Sequence, residues 1–283
     1  MKTCIIAIVR QENLYIKEWV DYHLNLGFDN IIICDNNDTD ERVSDVIKDN
    51  RVIILDYINI ENIQSPAYTE CFLKYKNNYN WLSFIDIDEF IMLDKKYHNN
   101  IKEFLNDSIF KNVDIIRLCQ KIYTSNTLFD IVDNYSVLNR FKDQYISGEE
   151  AFCKSIIRGT VEYVGGVFQA RGYYKNAKVI TVSSDGNYCM NSGRSLFFPK
   201  QLNTPPIYTN AWINHYPTKT IGEYIRQKYF RGGPNANCRK YNNLNYFFKY
   251  NIQTAEKEEY AKKLIKELSK TMIKEKYLKL YKI

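Results

Sequence analysis

The chain has 283 residues, 45% of them hydrophobic, with a net charge of +6. A chain of that length buries a sizeable core, either as one large domain or as one domain with an extension. It contains no apolar run of the roughly 18 residues that a membrane-spanning helix needs, and its seven scattered cysteines never form C-x-x-C, which argues against a zinc site or a disulfide framework and for free thiols in a reducing compartment.

Residues 3–9 (Thr-Cys-Ile-Ile-Ala-Ile-Val) read as a buried strand. The apolar stretch is too short for a signal peptide and no small-residue cleavage site follows it, so the chain is expected to stay in the cytosol. Apolar side chains at 16, 19, 20, 23 or 24, and 26 keep a helical period that stops at Gly27, a residue suited to ending a helix. Residues 31–34 (Ile-Ile-Ile-Cys) form a second strand, running into the polar cluster Asp35-Asn36-Asn37-Asp38-Thr39-Asp40, which has turn chemistry and an N-cap for the next helix. A strand over 52–55, a helix over about 66–78 and a strand from Trp81 complete the alternation. It predicts an α/β fold whose sheet is open and mainly parallel, with helices on both faces.

Farther on, a helix is expected over 101–110, strands over 113–118, 155–164, 178–182 and 212–216, and a helix over 220–230. From residue 254 a last helix is expected, capped by Thr254, with Tyr260, Leu264, Leu268 and Met272 as its apolar stripe. Residues 217–283 hold 16 Lys and Arg against 6 Glu, which leaves the first 216 residues at −4. A basic segment of this kind suits anionic lipid headgroups, a phosphorylated substrate or nucleic acid; a solvated lysine-rich surface explains it equally well.

The chemistry concentrates in residues 81–93, Trp-Leu-Ser-Phe-Ile-Asp-Ile-Asp-Glu-Phe-Ile-Met-Leu. An apolar run of this kind suits a strand buried on both faces, and it ends in Asp86, Asp88 and Glu89, at the end of a strand where open α/β sheets bind ligands. In an extended chain Asp86 and Asp88 point to the same side, and a hard divalent cation bridging to phosphate oxygens would resolve their repulsion. The competing explanation is a strand end whose acids cap a turn. P-loop, dinucleotide-binding, G-x-S-x-G and H-E-x-x-H motifs are all absent. Of the three histidines, His23 lies in an amphipathic helix and reads as a core residue, and His98 reads as surface loop. His215 ends an apolar strand and is followed by Lys219, Arg226, Lys228 and Arg231. One imidazole and two carboxylates are a credible ligand set for Mn²⁺, with the nearby cations, Lys228 among them, placed to hold a diphosphate; a hydrogen-bonded structural histidine is the alternative.

Four ordered blocks carry a family resemblance. They are Ile8-Val9-Arg10-Gln11-Glu12-Asn13; Glu18-Trp19-Val20-Asp21-Tyr22-His23 with Gly27 and Asp35-Asn36; Phe84-Ile85-Asp86-Ile87-Asp88-Glu89-Phe90; and Asn214-His215-Tyr216-Pro217-Thr218-Lys219-Thr220 with Arg231-Gly232. Together they resemble the GT-A glycosyltransferases of the family 2-like and family 92-like kinds, over about residues 3–233. The resemblance implies a GT-A domain over residues 1–235 and a basic helical extension over 236–283. It implies metal-dependent transfer of a sugar from a nucleotide-diphosphate donor, with UDP expected, to a saccharide or lipid-linked saccharide acceptor in bacterial surface polysaccharide assembly. Asp86, Asp88 and His215 would hold Mn²⁺ or Mg²⁺ against the diphosphate, with Lys219 and Arg231 facing it; Val9, Arg10, Glu12, Asp35 and Asn36 would line the nucleoside pocket. The chain departs from the family pattern at Gln11, inside the first block, and at Gln169-Ala170-Arg171, where the family often has a histidine.

Inverting transfer, usual in family 2-like enzymes, requires a base for the acceptor hydroxyl. Glu149 and Glu150 in a Ser-Gly-Glu-Glu-Ala-Phe loop are candidates, with an exposed acidic surface as the competing explanation, and so is Glu89, which is also placed to orient the turn around the metal. The basic tail suggests peripheral contact with a membrane face, or a packing helix whose stripe is buried. Two other functions compete with this one. A D-x-D phosphohydrolase would want Thr or Val where Phe90 stands and its motif on the first strand. A nucleic-acid binder would rest on the tail alone.

Overall fold

A computed structural model describes residues 1–37, 41–125, 128–131, 136–146, 152–165, 171–175, 177–190, 205–231 and 243–281, with the backbone alone for 171–173 and 272–281. In chain order its elements are β1 (Thr3–Val9), α1 (Asn13–Asn25), β2 (Asn30–Asp35), α2 (Val43–Val46), β3 (Val52–Asp56), α3 (Gln64–Tyr75), β4 (Trp81–Phe84), β5 (Glu89–Leu93), α4 (Ile101–Leu105), β6 (Ile115–Thr124), α5 (Val137–Arg140), β7 (Asp143–Tyr145), β8 (Cys153–Arg158), β9 (Tyr163–Gly165), β10 (Arg171–Tyr173), β11 (Thr181–Ser183), β12 (Ala211–His215), α6 (Ile221–Tyr224), α7 (Asn245–Phe248) and α8 (Ala255–Tyr281). Two compact units result, one of Met1–Ile122 with Ile146–His215, the other of Tyr123–Tyr145 with Tyr216–Ile283.

The first unit is built on a sheet of order β3-β2-β1-β4-β8-β6-β12-β5. The β3-β2-β1-β4 half is parallel, as the strand–helix alternation requires. Beyond it β8 runs antiparallel to β4 and β6, and β5 antiparallel to β12, while β12 and β6 are parallel. The sheet is therefore mixed where the sequence pattern suggested a mainly parallel one. Parallel neighbours need a crossover long enough to hold a helix, and after β4 the described helix of this unit, α4, has only five residues.

Burial explains the local structure. On α1 the buried positions Tyr15, Ile16, Trp19, Val20, His23 and Leu24 follow the helical period, and Gly27 leaves it at a φ of +106°, a conformation that glycine adopts without strain. Tyr68, Cys71 and Phe72 of α3 pack with Cys4 and Ile6 of β1, Ile32 and Cys34 of β2, and Leu82 and Phe84 of β4. All six cysteines among the described residues are free and buried. His98, expected on the surface, is only 7% exposed; its ring stacks edge-on against Phe104 at 5.4 Å.

The acids that end the Trp81 strand part it from a second one, and the stretch expected as a single strand over 155–164 is divided. Residues 81–93 become β4, which pairs with β1 and β8, and β5, which pairs with β12 instead. The 155–164 stretch becomes β8 and β9, parted at Gly159. A Cβ at Gly159 would stand 2.2 Å from the Tyr79 carbonyl oxygen and 2.3 Å from that of Lys76, so only glycine lets the turn press against the segment that follows α3.

In the second unit Thr220 and Glu223 cap α6 reciprocally: Glu223 N donates to Thr220 Oγ1 at 3.2 Å and Thr220 N to Glu223 Oε2 at 3.1 Å. The helix continues as a π-helical turn over Ile225–Tyr229. Thr254 caps α8 as the sequence suggests, accepting from Lys257 N at 3.3 Å. Of the stripe, Leu264 is buried in a cluster with Ile221, Tyr224, Ile225 and Phe247, and Tyr260 and Leu268 pack half-buried against it. Among the described residues no helix is long and apolar enough to cross a membrane.

Replacing Gly159 with alanine is expected to destabilise the chain by about 1–3 kcal/mol, the usual range for overpacking. The urea midpoint should fall with little change in slope; an unchanged midpoint contradicts the packing described.

Candidate active site

The acids of residues 86–89 sit in a turn. Glu89 N donates to the Asp86 carbonyl at 3.0 Å, and Asp86 N donates to Glu89 Oε2 at 2.9 Å. This curvature removes the extended geometry that would aim Asp86 and Asp88 alike, and the two carboxylates have different partners. Asp86 Oδ2 pairs with Lys154 Nζ of β8 at 2.6 Å. Its Oδ1 lies 3.3 Å from Gln64 Nε2 and 3.4 Å from the Tyr68 hydroxyl, both on α3. Asp88 Oδ1 lies 3.7 Å from His215 Nε2, because β12 places His215 in register with Glu89 at the start of β5.

Glu89 has no exposed surface. Its Oε1 accepts from Gln120 Nε2 at 2.5 Å, and its Oε2 is 3.3 Å from Lys154 Nζ. Burial pushes this carboxyl up to about 8, against the opposing pull of the Lys154 ammonium. The Glu89 carbonyl accepts from Trp19 Nε1 at 2.7 Å. One turn along α1, His23 Nε2 accepts from Ile91 N at 3.2 Å, and Nδ1 donates to the Trp19 carbonyl at 2.8 Å. Both ring nitrogens are thus used by a neutral imidazole, as a core role for His23 requires, and burial holds its pKa down at about 3. The Trp19-to-His23 block is a clamp that fixes β5, and with it the turn.

A divalent ion can be tested against these side chains. Among the described residues no three His, Cys, Asp or Glu groups gather as a ready-made cage. The Asp88–His215 separation of 3.7 Å is longer than a hydrogen bond, yet close enough for both atoms to share an ion with bonds of about 2.0–2.2 Å. One carboxylate and one imidazole fit Mn²⁺ or Mg²⁺ whose remaining positions are filled by substrate oxygens and water. Asp86, engaged by Lys154, is not gathered with that pair.

The ends of β1 and β2 are stitched together. Asn36 N donates to the Val9 carbonyl at 2.8 Å. Gln11 N donates to Asn37 Oδ1 at 2.6 Å, with Gln11 at a left-handed φ of +54°. The Asp35 carboxylate accepts from Val43 N at 3.0 Å and Asn37 Nδ2 at 2.8 Å, while Asn36 Nδ2 donates to the Tyr57 carbonyl at 2.6 Å. Glu12 is buried, its carbonyl opens α1 by accepting from Tyr15 N at 3.0 Å, and Arg10 is half-buried beside it. These residues border the carboxyl ends of parallel strands, where open sheets bind ligands.

Lys219, Lys228 and Arg231 belong to the second unit. Lys219 is buried at a φ of +54°, and its carbonyl accepts from Ser125 Oγ at 2.6 Å. Lys228 is buried and donates to the Pro217 carbonyl at 2.6 Å; Arg231 is half-buried just after the π-helical turn. Glu149 and Glu150 lie outside the described residues. Sequence inspection missed Gln64, Tyr68, Gln120 and Lys154. For Lys154 a signal existed: it interrupts the otherwise buried strand Cys153-Lys154-Ser155-Ile156-Ile157, and an enclosed lysine requires a carboxylate partner.

Compared with known proteins, residues 2–276 match the model of glycosyltransferase family 92. Two similar plant proteins carry that family's name. One from Oryza sativa subsp. japonica is 30% identical over 31% of this chain and 16% of its own length. The other, from Ricinus communis, is 32% identical over 32% of this chain and 17% of its own. The matched stretch therefore spans about a sixth of those relatives. A solved structure titled "Crystal Structure of A197 from STIV" aligns at a TM-score of 0.26 and 14% identity, covering 56% of this chain and 65% of that one.

The buried His23 gives a pH dependence. Its pKa is about 3 in the folded chain against an ordinary 6.5, so between those values the unfolded chain binds more protons. Stability is then lost as pH falls below 6.5, at up to about 1.4 kcal/mol per pH unit from this group. Urea unfolding at pH 7 and pH 5 measures the loss, and the His23 ring resonance should stay neutral through pH 5; titration near its ordinary value would contradict the clamp.

Proposed function

The chain belongs to glycosyltransferase family 92, and on that footing we propose that it transfers a sugar from a UDP-linked donor to a saccharide acceptor, on the GT-A plan. What favours this assignment is the Asp88–His215 pair, a carboxylate in the turn that leaves the parallel half of the sheet and an imidazole 3.7 Å from it at the end of β12. When bound, Mn²⁺ or Mg²⁺ supplies Lewis-acid stabilisation to a departing diphosphate. Asp88 and His215 hold the ion's protein side, and the Glu89 core beneath them keeps both in place. The stitched ends of β1 and β2, from Val9 to Glu12 and at Asp35 and Asn36, form the wall for the nucleoside. Hydrogen bonds among Val9, Gln11, Asp35, Asn36, Asn37 and Val43 hold these residues before any ligand arrives, which lowers the ordering cost of binding. Inversion at the anomeric carbon, by in-line attack of the acceptor hydroxyl, completes the assignment.

Calorimetry with UDP tests it. The wild-type chain should bind UDP in a Mn²⁺-dependent manner, and Asp88→Asn or His215→Ala should each weaken that binding by at least about tenfold. Folded wild-type protein without Mn²⁺-dependent UDP binding would sink the assignment.

A further inference from the structure

Lys154 is a lysine enclosed in the middle of the sheet. It is 5% exposed and stands on β8 in register with Leu118 of β6, where an apolar side chain is the ordinary choice. An ammonium group so placed is costly unless carboxylates face it. Two do, Asp86 Oδ2 at 2.6 Å and Glu89 Oε2 at 3.3 Å. Gln64 and Tyr68 close in on the other Asp86 oxygen at 3.3 and 3.4 Å. Both Asp86 oxygens are therefore engaged by groups of the protein itself, although 31% of the side chain still meets solvent.

The charge count gives this a consequence. Asp86, Asp88 and Glu89 place three carboxyl groups within four residues, and affinity for hard divalent cations rises with the number of carboxylates offered. Lys154 sets a fixed positive charge against two of them and leaves the third, Asp88, beside His215. We infer that Lys154 is a positioning residue, a built-in counter-ion that withholds Asp86 from a divalent ion, so that the ion binds tightly only together with a nucleotide diphosphate. This rests on the sugar-transfer assignment above. Two protein donors bind such an ion weakly, and diphosphate oxygens complete its shell. By linkage, the nucleotide then depends on the ion to the same degree.

The test titrates Mn²⁺ by calorimetry into wild type, Lys154→Met and the double variant Lys154→Met/Asp86→Asn, without nucleotide. Lys154→Met should bind Mn²⁺ alone about tenfold more tightly than wild type, or better, because the neutralising charge is gone. The double variant should return to the wild-type affinity. No gain in Lys154→Met, or a gain that survives in the double variant, overturns the inference. These titrations contain no nucleotide, so they report on Lys154 whether or not UDP binds. Wild type that binds Mn²⁺ as tightly alone as with UDP overturns the coupling. Should Lys154→Met fail to fold by circular dichroism, single variants decide: Mn²⁺ binding in the presence of UDP should stay within about twofold of wild type in Asp86→Asn and fall at least about tenfold in Asp88→Asn. Equal losses in the two would overturn the inference.

Discussion

A carboxyl group without access to water organises this site. Glu89 draws hydrogen bonds or ion pairs from α1, β6, β8 and its own turn: Trp19 to its carbonyl, Gln120 and Lys154 to its side chain, and the Asp86 backbone amide to its second oxygen. Burying a carboxyl group is unfavourable unless such partners surround it, so the three elements and the turn are fixed together. The register of β12 against Glu89 then determines where His215 stands. Removing any one partner would leave a buried polar group short of a hydrogen bond, which costs more than the bond itself contributes.

The division of labour among the three acids follows from that constraint. Asp86 is paired with a buried lysine, Glu89 is the hub, and Asp88 meets an imidazole. Two of the three thus serve the architecture, although in sequence all three look equivalent. The left-handed backbone at Gln11, in the loop after β1, adds a local strain of the kind that persists where surrounding structure over-determines it, here through the Asn37 side chain.

Much of the first half of the fold was legible because it obeys simple periods. The buried stripe of α1, the apolar runs of β1 and β2 and the stop at Gly27 each follow from neighbouring residues. The turn inside residues 81–93 showed only as an acidic interruption of the apolar run, and its closure by the Glu89 side chain was not legible. Nor was the break at Gly159, which depends on the backbone at Tyr79, far away in sequence. In the site, the acids and His215 stood out by chemistry and order. Their partners did not: Lys154, Gln120 and Gln64 acquire meaning only when strands and helices distant in the chain come together. His98 was misjudged because its polar neighbours in sequence hide its packing on Phe104.

The topology also fixes an order of assembly. The first unit is discontinuous: the chain leaves it after Ile122, returns at Ile146 and finishes at His215. The strand that finishes it, β12, slots between β6 and β5, two strands synthesised long before it. Contacts of such sequence separation form late and slowly. Until they form, β5 lacks the strand it pairs with and presents an unpaired edge, and Asp88 has no imidazole beside it. The Asp88–His215 pair is therefore a mark of the completed sheet: a partly folded chain carries the acids, but only a finished one brings the histidine to them.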